Sequence, residues 1–198
     1  MTSVKFVYFD IGGVLLDLSK LFETLIERSS KPKKDVMEVF EKHDVDLCRG
    51  SLSSEEMADI YRSELGMEVG DLEMLVVNAL EPRQSMKRFV EELPASLRVG
   101  LLSNTWGNIT HYQIEKNTIP DYKYEAMVLS NEVGAAKPEE KIYQIAHEKA
   151  GVEPGKILFV DDMEVNVKAA QDLGWQGLVF DVNDEKRMIS EIEKRLSI

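Results

Sequence analysis

The sequence predicts an α/β fold, a doubly wound parallel sheet with a small all-helical domain inserted after the first strand. Apolar stretches of strand length alternate with amphipathic helical patterns over most of the chain, and such alternation indicates a parallel sheet. Several of these stretches end in acidic, hydroxyl or amide side chains. Because the carboxyl ends of parallel strands share one edge of the sheet, residues that are distant in sequence meet there in one crevice.

The first strand is predicted at Val4–Phe9, a run of β-branched and aromatic residues that is nearly all apolar. Such a run is typical of a strand that is buried on both faces, so we expect it at the centre of the sheet. The run stops at Asp10, and Gly12 and Gly13 follow closely. The glycines allow backbone amides to approach a ligand, so the sequence predicts a binding site at this strand end.

The next segment, from Leu18 to about Glu81, carries helical patterns and no strand pattern. Within it, Ser53 and Glu56 have the spacing of a capping box, which marks the start of a helix. The change from strand to helix patterns predicts two units: a helical domain over residues 18–81, and a core made of residues 1–17 and 82–198.

Alternation then resumes. The sequence predicts strands at Arg98–Leu102, Ala126–Leu129, Lys156–Val160 and Gly177–Phe180. It predicts helices at Pro82–Leu93, Glu139–Ala150, Val165–Leu173 and Glu185–Leu196. Polar pairs follow two of the strands: Ser103 with Asn104, and Asp161 with Asp162. We expect these pairs at the same edge of the sheet as Asp10.

The composition narrows the class of partner. The net charge is −12 and no cluster of basic residues occurs, so we expect neither nucleic acid nor a membrane as a partner. Cys48 is the single cysteine, which excludes an internal disulfide. No signal peptide pattern precedes the first strand, and no apolar run approaches the ~20 residues that span a bilayer. These features favour a cytoplasmic protein with a small-molecule partner, and nothing in them indicates an oligomeric state.

Four motifs, in this order along the chain, resemble those of the haloacid dehalogenase (HAD) superfamily. They are Phe9-Asp10-Ile11-Gly12-Gly13-Val14, Leu102-Ser103-Asn104, Lys137-Pro138 and Val160-Asp161-Asp162. The resemblance implies a Rossmann-like core whose helical insert is a cap domain of the first (C1) type. The segments Ser130–Gly134 and Lys137–Tyr143 also resemble the sugar-1-phosphate phosphatases of this superfamily, and the N-terminal domain of soluble epoxide hydrolases is a related group.

The resemblance implies a phosphatase that acts on a small phosphorylated metabolite, with a sugar phosphate as the expected substrate. Asp10 would be the nucleophile, since a carboxylate can attack phosphorus and form an aspartyl-phosphate. Lys137 would act with it, as a flexible positive charge for both the phosphate and Asp10. The Ser103 hydroxyl and the Asn104 backbone or side-chain amide would bind phosphate oxygens. The backbone amides of Ile11 and Gly12 would complete the anion site.

The same resemblance implies Mg²⁺ as the cofactor, because Mg²⁺ is usually held by one or two carboxylates together with water and phosphate oxygens. Asp10, the backbone carbonyl of Gly12 and Asp162 would be its ligands. Asp161 would support a metal-bound water or place Lys137, and either of the two adjacent acids could be the direct ligand. Adjacent acids are also common at helix starts, where the helix dipole favours them.

One position departs from the superfamily pattern. Most of its phosphatases carry a second aspartate two positions after the nucleophile, as general acid and base, and Gly12 stands there instead. This leaves two alternatives: a 2-haloacid dehalogenase, whose halide leaves without protonation, and a degenerate, non-catalytic binding module. The acidic pair Asp161 and Asp162 favours the metal-dependent phosphatase.

Three further residues lie near the motifs with two interpretations each. Asn166 could orient the acids or be a polar surface residue. Trp106 could line a pocket or only pack. Arg49 lies in a turn that could face the substrate, and a solvated arginine is the simpler interpretation.

Overall fold

The structure, a computed structural model, describes residues 3–198; Met1 and Thr2, assigned to the predicted core, lie outside this range. The strands are β1 Phe6–Phe9, β2 Leu16–Asp17, β3 Glu81–Pro82, β4 Arg98–Ser103, β5 Ala126–Leu129, β6 Ile157–Asp161 and β7 Gln176–Val179. The helices are α1 Ser19–Arg28, α2 Lys33–Cys48, α3 Ser54–Leu65, α4 Leu72–Ala79, α5 Gln84–Glu91, α6 Ile109–Glu115, α7 Ser130–Val133, α8 Glu140–Ala150, α9 Glu164–Asp172 and α10 Glu185–Leu196.

The main sheet has five parallel strands in the order β5-β4-β1-β6-β7. The first strand in sequence is therefore the central strand, and all four of its residues are buried. Val7 and Phe9 pack into one hydrophobic cluster, whereas Phe6 and Tyr8 pack into another. Alternate residues of a strand point to opposite faces of the sheet, so β1 is covered on both sides and the predicted doubly wound fold is confirmed.

Helices α1–α4 lie between β2 and β3, and we call residues 18–81, which include the first residue of β3, the helical insert. Its division from the core as a separate cap domain stays a prediction, since its apolar side chains share one buried cluster with the core. The capping box is present at the start of α3, where the Glu56 amide donates to the Ser53 hydroxyl and the Ser53 amide donates to Glu56.

A two-stranded antiparallel pair closes the base of the helical insert. Leu16 pairs with Pro82, and Asp17 pairs with Glu81. The prediction of no strand up to Glu81, and of a helix from Pro82, is therefore wrong at these two residues, because α5 begins at Gln84. A two-residue strand is too short to give a sequence pattern, and only the pairing with its distant partner defines it.

The helices α6 and α7 were not predicted either; each is short, with seven and four residues respectively. Short helices gain little from their own hydrogen bonds and depend on packing against the rest of the fold. None of the helices in residues 3–198 combines the length and the apolar character that crossing a membrane requires.

Candidate functional site

The ends of three adjacent strands bring the predicted polar residues together. Asp10 follows β1, Ser103 ends β4 and Asp161 ends β6. Lys137, from the loop between α7 and α8, reaches into the same place. Its Nζ lies 2.9 Å from Oδ1 of Asp10 and 2.6 Å from Oδ2 of Asp161, and it also donates to the carbonyl of Leu102 at 3.1 Å.

Lys137 is buried, with 1% of its side chain exposed. Burial alone would lower the pKa of its ammonium group, but the carboxylates of Asp10 and Asp161 outweigh burial and raise the pKa above its ordinary value. A lysine so placed stays charged, because each carboxylate favours the charged form. It acts as a fixed positive charge between two strand ends.

The carboxyl group of Asp10 has a raised pKa. Burial raises the pKa of its carboxyl group to about 7, against the lowering effect of Lys137, and the nearby Asp161 charge raises it further. The nearby Ser103 hydroxyl acts in the lowering direction. The carboxylate of Asp10 is therefore short of positive charge, and a cation beside it would favour its ionised form.

Asp161 has both carboxylate oxygens occupied by protein donors. The Met163 amide donates to Oδ1 at 2.8 Å, and Asn166 Nδ2 lies 3.1 and 3.2 Å from the two oxygens. Lys137 contacts Oδ2. Asn166 is buried, and its backbone carbonyl accepts a hydrogen bond from the Tyr143 hydroxyl at 2.9 Å. Asn166 therefore orients the acid, which decides between its two interpretations.

Asp162 differs from its neighbour. Within the described part of the chain, its carboxylate accepts no hydrogen bond from another residue, and burial raises its pKa. One oxygen from each of Asp10, Asp161 and Asp162 lies within 4.8 Å of the others, so the group could hold a metal ion. Three carboxylates against one ammonium leave an excess of negative charge, and hard divalent cations take such oxygen ligands. The donor set fits such an ion.

Gly13 and Arg83 shape this site, and no sequence motif predicted Arg83. Gly13 has a φ of +79°, and a Cβ atom there would overlap the carboxylate of Asp162. Arg83 donates from Nε to the Gly13 carbonyl at 2.9 Å and pairs with Glu185 at 3.0 Å and Asp17 at 3.6 Å. These contacts hold the loop after β1 against the acid. A lone arginine gives no sequence signal for this role, which only its partners reveal.

Three other predicted residues have specific positions. The Ile11 amide donates to Oδ1 of Asp10 at 2.7 Å. Gly12 has space for a side chain: a Cβ atom there would lie 3.5 Å from Cδ1 of Leu18. The Asn104 side chain bonds the backbone of Lys137 twice, accepting from its amide at 2.7 Å and donating to its carbonyl at 3.0 Å. The side-chain amide of Asn104 thus holds the lysine loop, which leaves its backbone amide for an anion.

A cavity of about 470 Å³ adjoins these residues and continues between the core and the helical insert. Its size lies in the range of small-molecule sites, about 300–1,000 Å³. Trp106 lines it, which supports the pocket interpretation of this residue. Arg49 pairs with Glu139 at 2.7 Å instead of being solvated alone, and so links the helical insert to the loop that carries Lys137.

The family model of haloacid dehalogenase-like hydrolases matches residues 7–180, which is most of the chain. The protein belongs to this family. The family membership and the prediction of a hydrolase are therefore confirmed.

Three proteins are similar to this chain over most of its length. The D-ribitol-5-phosphate phosphatase of Bacteroides thetaiotaomicron is 27% identical over 188 residues, covering 87% of this chain and 90% of the relative. The phosphorylated carbohydrates phosphatase of Thermotoga maritima is 21% identical over 196 residues, covering 92% and 89%. A solved HAD family enzyme from Bacteroides thetaiotaomicron, in complex with magnesium and inorganic phosphate, matches with a TM-score of 0.74 at 27% identity, covering 91% and 96%.

We predict that Gly13→Ala removes divalent cation binding, because the new methyl group displaces the Asp162 carboxylate and the left-handed backbone disfavours a side chain. Calorimetric titration with Mg²⁺ should show at least a tenfold loss of affinity. Gly70→Ala is the matched control, since no atom lies within 4 Å of the added carbon. Unchanged affinity in Gly13→Ala would contradict the role of this contact.

A second prediction concerns pH and the metal-free protein. Because the folded state raises the pKa of Asp10 to about 7, it holds a proton that the unfolded chain releases above about pH 4. The contribution of Asp10 to the free energy of unfolding is therefore fully present below about pH 4 and is lost as the pH rises through about 7. In EDTA, the Tm of Asp10→Asn relative to wild type should rise from pH 4 to pH 8. The surface variant Asp121→Asn should show no such trend, and a flat difference for Asp10→Asn would refute the shift.

Proposed function

We propose that the protein is a Mg²⁺-dependent phosphatase that hydrolyses a small phosphorylated metabolite through an aspartyl-phosphate on Asp10. The observation that supports it most is the contact of Lys137 with both Asp10 and Asp161 beside the free carboxylate of Asp162. This places a nucleophile, a fixed positive charge and a cation-binding group at one cavity. The two named phosphatases among the relatives, both similar over most of their length, support the same reaction class.

The proposed reaction has two displacements at phosphorus. In the first, an oxygen of Asp10 forms a bond to phosphorus while the bond to the leaving oxygen breaks, and the leaving alkoxide takes a proton from water. In the second, water attacks the aspartyl-phosphate, which releases inorganic phosphate and restores the carboxylate. Lys137 offsets the negative charge that accumulates as the phosphate approaches Asp10. Because the lysine is buried, solvent does not screen its positive charge.

Mg²⁺ would neutralise phosphate charge in this site, and Asp10, the Gly12 carbonyl and Asp162 are its proposed ligands. We assign Asp162 as the direct ligand of the adjacent pair, because Asp161 already accepts from Lys137, Asn166 and the Met163 amide. Asp161 then positions Lys137 instead of binding the ion itself. The complex of a relative with magnesium and inorganic phosphate supports this choice of cation.

The phosphate oxygens have four proposed partners: the Ser103 hydroxyl, the Asn104 backbone amide and the amides of Ile11 and Gly12. The Ile11 amide must then leave Oδ1 of Asp10, with which it bonds in this structure. That exchange would free the carboxylate for attack. The sugar phosphate expected from the sequence is one member of the proposed substrate class, and the reducing cytoplasm stays the proposed compartment.

Two alternatives remain as competing hypotheses. Gly12 favours a 2-haloacid dehalogenase, since halide needs no proton on leaving, but the free carboxylate of Asp162 has no use in a reaction without a metal. A non-catalytic module would also explain Gly12. The buried pair of Lys137 with Asp10 weighs against it, because taking two charges out of water is costly and apolar side chains of similar volume would pack there without that cost.

The proposal predicts that Mg²⁺ restores phosphatase activity abolished by EDTA, and that Asp10→Asn lowers kcat by about a thousandfold or more while leaving the fold intact.

Asp162→Ala should raise the Mg²⁺ requirement more than Asp161→Ala, whereas Asp161→Ala should mainly lower kcat by loosening Lys137. Trapping with beryllium fluoride should place the mimic on Asp10. Activity on a haloacid in excess EDTA would establish the dehalogenase, and no activity with either substrate class would establish the binding module.

A further prediction follows from Gly12. A positioned acid contributes about 10²–10⁴-fold by protonating a leaving group, and position 12 offers none. The kcat/KM should therefore fall steeply as the pKa of the leaving alcohol rises. Gly12→Asp should flatten this slope, because its Cβ fits at 3.5 Å from Leu18, while Gly12→Asn should not. A slope near zero in wild type, with chemistry rate-limiting, would show that another residue supplies the proton.

A further inference from the structure

The cavity beside Asp10 and Lys137 has two unlike parts. Its floor is polar and holds the strand ends, whereas its wall, which we call the upper cavity, is formed by the helical insert together with Trp106 and α6 of the core. From that insert Phe22, Leu25, Met37, Phe40 and Val76 line the wall, contributed by three different helices. The rings of Phe22 and Phe40 meet edge to face, with centroids 5.5 Å apart. The wall that faces the leaving group is thus mainly carbon.

Two polar side chains that the core contributes to this lining, Thr110 and Gln113, are bonded within the protein. The Thr110 hydroxyl donates to the Thr105 hydroxyl at 3.2 Å. Gln113 donates to the Val77 carbonyl at 3.0 Å, and its own amide oxygen accepts from the Thr118 hydroxyl. Hydroxyl groups of a polyol would have to replace these internal bonds or reach Glu41, Asp44 or the Tyr61 hydroxyl, and a hydroxyl buried against the carbon surface without a partner is unfavourable.

The charges of the cavity discourage a second anionic group. Lys137 is the one basic side chain among the described residues that line it, and that lysine already pairs with Asp10 and Asp161. The helical insert contributes Glu41 and Asp44, both acidic. A carboxylate or a second phosphate in the upper cavity would meet negative charge without a cation to balance it.

The apolar wall also extends to position 12, two residues after Asp10. A Cβ atom there would lie 3.5 and 3.6 Å from Cδ1 and Cδ2 of Leu18, which is ordinary contact distance. Leucine carbon therefore borders the cavity beside Asp10. On the rim, Met163 lines the cavity with 55% of its surface exposed.

We infer that the substrate is a phosphate monoester of a mainly apolar alcohol or phenol, and that the helical insert selects it by burying its hydrocarbon group. The inference rests on the proposed phosphatase function and names its substrate class. It departs from the polyol and carbohydrate phosphates that the names of the relatives describe. The physical reason is that each buried methylene contributes favourable free energy against a carbon wall, whereas each hydroxyl loses water there.

The test is a series of ethyl, butyl and hexyl phosphate, whose leaving alcohols have nearly equal pKa, against sorbitol phosphate, the polyol of hexyl length. With Mg²⁺, kcat/KM should rise threefold to fourfold per methylene, which corresponds to about 0.8 kcal/mol. Hexyl phosphate should exceed sorbitol phosphate by at least a hundredfold. A flat series, or a preference for sorbitol phosphate or phosphocholine, would overturn the inference while leaving the phosphatase proposal standing.

Binding separates the inference from turnover. Ethyl, butyl and hexyl phosphonates, which cannot be hydrolysed, are titrated into the Mg²⁺-loaded protein by calorimetry. Their Kd should fall with chain length, with an increasingly negative heat capacity change, the mark of apolar burial. If no phosphate ester is hydrolysed but this trend appears, the phosphatase proposal fails and the apolar site stands. If the Kd is independent of chain length, the apolar site fails.

Two variants on α2 locate the effect. Phe40→Ala should lower kcat/KM for hexyl phosphate at least tenfold and leave the value for ethyl phosphate within about twofold, because only the longer chain reaches the ring. Val45→Ala is the control: it removes an apolar side chain from the same helix, at a position 48% exposed and outside the cavity lining. An equal loss for both substrates in Phe40→Ala would mean general damage to the fold and would refute selection by this wall.

Discussion

The placement of one buried ammonium group among carboxylates is the interaction on which the rest of the site depends. Lys137 ties Asp10, after the central strand, to Asp161, at the end of its neighbour, and also bonds the carbonyl of Leu102 on the other neighbouring strand. Without the positive charge of Lys137, the carboxylates of Asp10 and Asp161 would be buried side by side with no ammonium group between them. Breaking such a buried pair by removing one partner costs about 3–5 kcal/mol, so the three strand ends and the lysine loop constrain one another.

Because of this constraint, the two adjacent acids, Asp161 and Asp162, have different roles. Both carboxylate oxygens of Asp161 accept hydrogen bonds from the protein, so Asp161 holds Lys137 in place. Asn166 donates to Asp161, and the Tyr143 hydroxyl donates to the backbone carbonyl of Asn166. Among residues 3–198, Asp162 accepts no hydrogen bond from another residue, and its carboxylate lies against a loop that fits only because Gly13 has no Cβ. A site with a spare carboxylate and excess negative charge is well suited to a divalent cation.

The helical insert completes the site by a different kind of chemistry. The core supplies charges at fixed distances, whereas the insert supplies carbon surface, and the cavity lies where the two meet. Arg49 on the insert pairs with Glu139, two residues after the lysine. The insert is therefore linked to the segment that carries Lys137, so the apolar wall and the charged floor keep a defined relation. Function in this fold is decided by the site and not by the sheet that carries it.

The sequence by itself determined the five strands of the main sheet and their alternation with the longer helices, the central position of β1 and the set of polar residues at the strand ends. It could do so because a strand buried on both faces and a strand end with a carboxylate leave strong local patterns. The tertiary structure alone decided which acid is free, because that depends on hydrogen bonds from Asn166 and Met163 that no spacing encodes. It also decided the role of Arg83, the pairing of β2 with β3 and the apolar wall of the cavity. These features arise from contacts between segments far apart in the chain, and such contacts exist only once the chain is folded.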